Sequence, residues 1–80
     1  MEITPNPTQG DFFIDLQLET SEAIQIELMT LTGQKVQNLA NETSRGNVYQ
    51  VNGNDLPAGL YLVKFNVAGK QFTERLVITK

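Results

Sequence analysis

Apolar residues in this chain recur at every second position, in short runs, and nowhere at a sustained helical spacing. Phe12, Ile14, Leu16 and Leu18 alternate with Phe13, Asp15, Gln17 and Glu19. Ile24, Ile26 and Leu28 alternate with Gln25 and Glu27, and the pattern resumes over residues 35–39. Tyr49 and Val51 flank Gln50. Tyr61, Val63, Phe65 and Val67 interleave with Leu60, Leu62, Lys64 and Asn66, and Phe72, Leu76 and Ile78 share one side of a final run. A period of two is the signature of a strand with one buried face. Residues 19–29 are the one window where a helix competes, and the β-branched Ile24 and Ile26 favour a strand. With Glu2-Ile3-Thr4 as a short edge strand, about seven strands at roughly ten-residue spacing predict an all-β antiparallel sandwich. The expected core is Phe12, Ile14, Leu16, Ile26, Leu28, Val36, Tyr61, Val63, Phe65, Leu76 and Ile78.

The breaks between runs carry the turn chemistry. Glycines stand at positions 10, 33, 46, 53, 59 and 69, all at run boundaries. Residues 41–47 read as a polar loop, Asn52-Gly53-Asn54-Asp55 as a turn, and Gly69-Lys70 as a two-residue hairpin turn. The glycines do not cluster before a helix, so they form no phosphate cradle. The opening Pro5-Asn6-Pro7-Thr8-Gln9-Gly10 is unusual. Its prolines lack N–H donors and hold the preceding residues extended, so it cannot be a central strand. It reads as a stiff crossing from one sheet to the other, with Asn6 bonding local backbone. Phe13 points away from Phe12; it is expected under this proline segment, or else it is an exposed docking spot.

In Leu56-Pro57-Ala58-Gly59-Leu60-Tyr61, Pro57 sets φ and Gly59 admits a positive one, so the chain turns sharply before a long strand. Tyr61 then has two structural readings: a plain core aromatic, or a tyrosine corner whose hydroxyl bonds backbone a few residues upstream.

Length and charge exclude much. Eighty residues form one domain, spanning 1–80, with a modest core. The chain has no run of 18 apolar residues and no basic-then-apolar leader. Six basic residues against nine acidic ones give a net charge of −3, and the cations never cluster, which argues against nucleic acid as a partner. Cys and His are both absent. That removes disulfides, thiolate zinc sites and the commonest general base, and no cofactor or metal is expected. Asp11 and Asp15 share a strand face about 13 Å apart at ~3.3 Å per residue. Glycosidase carboxyl pairs stand about 5 to 9.5 Å apart, so this pair does not fit. Ser21 and Ser44 have no visible base. The Asn52-Gly53-Asn54-Asp55 turn has one carboxylate, too few for a Ca²⁺ loop. No enzyme is expected.

Four pieces together resemble a known family: Pro5-Asn6-Pro7-Thr8 with Gly10, Leu31-Thr32-Gly33-Gln34-Lys35-Val36, Leu56-Pro57-Ala58-Gly59-Leu60-Tyr61-Leu62-Val63, and Arg75-Leu76-Val77-Ile78-Thr79-Lys80. In this order and spacing, covering nearly the whole chain, they look like the C-terminal sorting domain of proteins exported by the type IX secretion system of Bacteroidetes. Two positions depart from the family pattern. Thr30 stands where an acidic residue is common, losing a possible carboxylate–backbone bond, and Arg75 stands where Lys is common. The resemblance implies a small immunoglobulin-like sandwich at the end of a larger secreted protein, which would bring the domain to the periplasm and its cargo to the cell surface or medium. It implies recognition by the outer-membrane type IX machinery and a sortase-like peptidase that cuts upstream. The motif-matched recognition residues are Pro5, Asn6, Pro7, Thr8, Gly10, Gly33, Gly59, Tyr61, Arg75 and Lys80.

The competing reading is an immunoglobulin- or fibronectin-like module that binds carbohydrate or serves as a spacer. Carbohydrate binding usually presents flat exposed aromatics. Trp is absent, leaving Tyr49 and Phe13. A spacer would be followed by more chain, whereas this sequence is expected to end with its last strand.

Overall fold

The computed structural model describes residues 2–44 and 48–80. Seven strands form, β1 (Glu2–Thr4), β2 (Phe12–Asp15), β3 (Glu22–Thr30), β4 (Lys35–Ser44), β5 (Val48–Val51), β6 (Gly59–Val67) and β7 (Lys70–Ile78). No helix occurs among the described residues. The strands divide into a three-stranded sheet, β1-β2-β5, and a four-stranded sheet, β4-β3-β6-β7, with every strand pairing antiparallel. This is the expected small β-sandwich. Its core lies between the sheets, where the alternating residues of β2, β3 and β6 meet: Phe12 and Ile14 from one side, Ile26, Leu28, Val63 and Phe65 from the other.

The predicted core residues are buried with one exception. Val36 is 39% exposed. The cause is a pair of register shifts in the β3–β4 ladder. Leu28 opposes Gln37 while Met29 opposes Lys35, leaving Val36 as an extra residue on β4. Such a bulge re-aims its side chain away from the face that alternation assigns it. Ile3, Ile24, Val51 and Val67 complete the core.

Other local expectations change for identifiable reasons. Residues 41–44 are strand rather than loop, because β3 supplies a partner for each, from Gln25 opposite Asn41 to Glu22 opposite Ser44. Polar composition there reflects an edge strand in water. Residues 45–47, including Gly46, lie outside the described residues. The β2 run stops at Asp15, since Gln17 turns to φ +54° and its N–H donates to Asp15 Oδ1 at 3.1 Å. The last hairpin turns on Ala68-Gly69 rather than Gly69-Lys70, because Val67 already opposes Lys70. Both turn residues have positive φ, +53° and +81°, as a two-residue turn matching strand twist requires. Phe72 shares the inner side of β7 with Leu76 and Ile78 yet is 44% exposed. It opposes Phe65 and lines an open cleft with Leu16, Leu18 and Val67.

Residues 5–10 are not a crossing between sheets. They join β1 to β2, which are neighbours in the same sheet. The segment leaves that sheet, touches β7 and returns, and so does not cover Phe13, which is 41% exposed.

Candidate functional site

Strand β7 is the outer strand of the four-stranded sheet, so every second peptide unit along it points away from β6 with no ladder partner. Residues 5–10 fill half of that edge. Asn6 Nδ2 donates to the Arg75 carbonyl at 2.7 Å, and the Val77 N–H donates to Asn6 Oδ1 at 3.1 Å. A side-chain amide has the donor and acceptor of a peptide unit, and here it replaces one. Thr8 continues with its own backbone: its N–H donates to Val77 O at 2.9 Å, and Thr79 N–H donates to Thr8 O at 2.7 Å. Thr8 forms a parallel bridge with Ile78. Asn6 thus bonds residues about seventy positions away rather than local backbone. Pro5 and Pro7, without N–H groups, flank these contacts and offer nothing to continue a ladder.

The segment is anchored at its far end. Thr8 is buried, and its Oγ1 donates to the Asp11 carbonyl and accepts the Gly10 N–H at 3.1 Å. Gly10 sits directly against the loop after β5. A Cβ on Gly10 would fall on the Asn54 side-chain oxygen, and a Cβ on Gly53 would lie 2.5 Å from the Gly10 carbonyl oxygen. The same loop holds the chain's end, with Lys80 Nζ donating to Asn54 O at 2.5 Å. In the sequence Gly53 and Asn54 show only a turn. The signal available was an Asn-Gly-Asn run, which does not say what packs on it.

The Gly59 turn lies beside these groups, since Gly59 opposes Ile78. Tyr61 makes the corner: its hydroxyl donates to the Pro57 carbonyl at 2.6 Å while its ring is buried. Replacing Tyr61 by Phe keeps the ring and removes one hydrogen bond, so it is expected to cost about 1 kcal/mol in urea unfolding. An unchanged midpoint would mean the bond contributes nothing.

The β3–β4 hairpin turn belongs to the same end of the sheet, because Thr30 opposes Tyr61. Gly33 takes φ +91° there. Thr30 Oγ1 accepts the Gln34 N–H at 3.2 Å, so the hydroxyl makes a turn bond of the kind whose loss was expected when a carboxylate is missing.

All ten motif residues therefore gather at one end of the sandwich, with Gly33 separated from β7 by two strands. They differ in accessibility. Thr8, Gly10 and Tyr61 are buried and serve the geometry, while Pro5, Asn6, Pro7, Gly33, Gly59, Arg75 and Lys80 are exposed. No group of three or more acidic side chains is arranged to hold a metal ion among the described residues. A cleft of about 360 Å³, lined by Leu16, Leu18, Val67 and Phe72 among others, lies at the opposite end.

That end lays residues 5–10 along residues 75–79 and presents a surface made from both segments. The family model of the secretion system C-terminal sorting domain matches residues 2–79, and the chain belongs to that family. No curated protein matches it. The family is a C-terminal sorting signal for type IX secretion rather than a catalytic family, so the domain is a tail attached to cargo that is exported across the outer membrane.

Proposed function

We propose that the type IX machinery reads this domain as a folded label, through the exposed residues of the end described above. Asn6, Arg75 and Lys80 form the centre of the read surface, with Pro5, Pro7 and Gly59 shaping it and Gly33 at its margin. The single observation that carries this reading is the pairing of Asn6 and Thr8 with residues 75–79. That surface joins the two ends of the chain and exists only when the chain is folded. Residues 1–80 act as one sorting domain preceded by cargo. A sortase-like peptidase cuts upstream, and the cargo passes from the periplasm to the cell surface or the medium.

The test is a fusion of this chain to the C-terminus of a periplasmic reporter, in a host with the type IX machinery. The reporter is expected outside the cell. Deleting Thr79 and Lys80 is expected to abolish export. The deletion also removes the Thr79 N–H bond to Thr8 O and the Lys80 Nζ bond to Asn54 O, together a loss of about 1–2 kcal/mol, which leaves the domain folded. Asn6→Ala is expected to lower export while circular dichroism stays that of a β protein. A full-length fusion that stays in the periplasm, folded and intact, would refute the reading and favour the spacer or carbohydrate-binding alternative.

A further inference from the structure

The two outer faces of the sandwich differ in charge. On the three-stranded sheet, Glu2 opposes Asp15, and no cation occurs among its described strand residues. The outer face of the four-stranded sheet is the reverse. One row across it reads Lys35, Met29, Leu62, Arg75, and the next reads Asn38, Glu27, Lys64, Thr73. This face carries three cations and one carboxylate in a chain whose net charge is −3. The carboxylate, Glu27, is already paired with Lys35 at 3.5 Å. Lys64 and Arg75 are left without an anionic partner among the described ion pairs.

The same face is apolar where a solvated face is normally polar. Met29 directly opposes Leu62, and Leu60 directly opposes Val77, next to it along β6. Leu60 is 37% exposed, and Leu31 in the adjoining turn is 58% exposed. The other sheet covers the opposite side of these strands, so this strip has no partner within the domain. It lies at the end that holds the motif residues.

We propose that this face docks an acidic protein surface of the export machinery, one with an apolar centre rimmed by carboxylates. The inference rests on the sorting reading and names a surface of the label that only Arg75, of the ten motif-matched recognition residues, marks. The apolar strip supplies the contact centre, while Lys64 and Arg75 supply orientation and steering. A lipid surface fits less well. Membrane-surface binding uses clustered Lys and Arg or interfacial aromatics, and this face has three spaced cations and no aromatic.

The experiment uses the reporter fusion with three alterations: Lys64→Gln with Arg75→Gln, Lys64→Glu with Arg75→Glu, and Leu60→Ser. Phe13→Ser, on the other outer face, is the control. Export is expected to fall stepwise from wild type through the neutral pair to the reversed pair, tenfold or more at the last. Leu60→Ser should fall comparably, the control should match wild type, and all purified domains should melt within a few degrees of one another. If the reversed pair fails to fold, Leu60→Ser and Lys64→Glu alone decide. Export of the altered fusions at the wild-type level, with the wild type exported, overturns this inference and removes Arg75 from the read surface, while the sorting function and the roles of Asn6 and Lys80 stand. No export of the wild type overturns both. Co-sedimentation of the purified domain with phosphatidylglycerol–phosphatidylcholine vesicles, lost in the reversed pair, assigns the face to anionic lipid and overturns the proposal of a protein partner.

Discussion

Replacing Gly53 by Val is expected to destabilise the domain by about 3 kcal/mol, since overpacking a close contact costs roughly 1–3 kcal/mol and a branched side chain lies at the upper end. The added Cβ would stand 2.5 Å from the Gly10 carbonyl oxygen, which is backbone and cannot swing aside. The loop or residues 5–10 must move, and either movement pulls on Thr8 and hence on the end of β7. For a domain of this size total stability is about 4–12 kcal/mol, so the loss is a large part of it. Urea unfolding measures it directly. Gly33→Ala is the comparison. Nothing lies within 4 Å of a Cβ there, so only the φ of +91° is strained, at a cost of about 1 kcal/mol. Equal losses at the two positions would mean the Gly10–Gly53 contact is not tight.

Thr8→Val is expected to cost about 2 kcal/mol although it conserves shape. The hydroxyl serves two backbone groups inside one tight turn, donating to Asp11 O and accepting Gly10 N–H. Valine fills the same space and leaves a buried donor and a carbonyl without partners, each a penalty of about 1–3 kcal/mol when desolvated. Thr8→Ser keeps the hydroxyl and should recover most of the loss. The Val variant should also export less than its stability alone predicts, because the turn that presents Asn6 to β7 is loosened. If Ser and Val are equally destabilised, the methyl group rather than the hydroxyl holds the segment.

The alternating runs were enough to place the strands, and with them the core, because a period of two states which side of each strand is dry. Val36 escaped because a bulge changes phase without changing composition. Residues 41–44 escaped because an edge strand needs only a backbone partner, and polar side chains do not reveal one. Tyr61 was legible since Pro57 and Gly59 define a corner within a few residues of it, and its bond spans four positions. Phe13 is exposed, the second of its two readings, because what covers a side chain depends on where a distant segment goes, and residues 5–10 go to β7.

By itself the sequence determined what local rules govern: the strand pattern, the corner at Tyr61 and the four motifs that mark the family. Only the tertiary structure decided what the motifs do together. Asn6 reaches Arg75 and Val77, Gly10 meets Gly53, and Lys80 meets Asn54. The distribution of charge between the two outer faces likewise depends on strand order and register. These contacts join residues 26 to 71 positions apart, and no periodicity or turn propensity carries information over such separations. They follow from the need of an edge strand to satisfy its outward backbone groups, which the folded chain meets by laying its own proline-flanked beginning along its end.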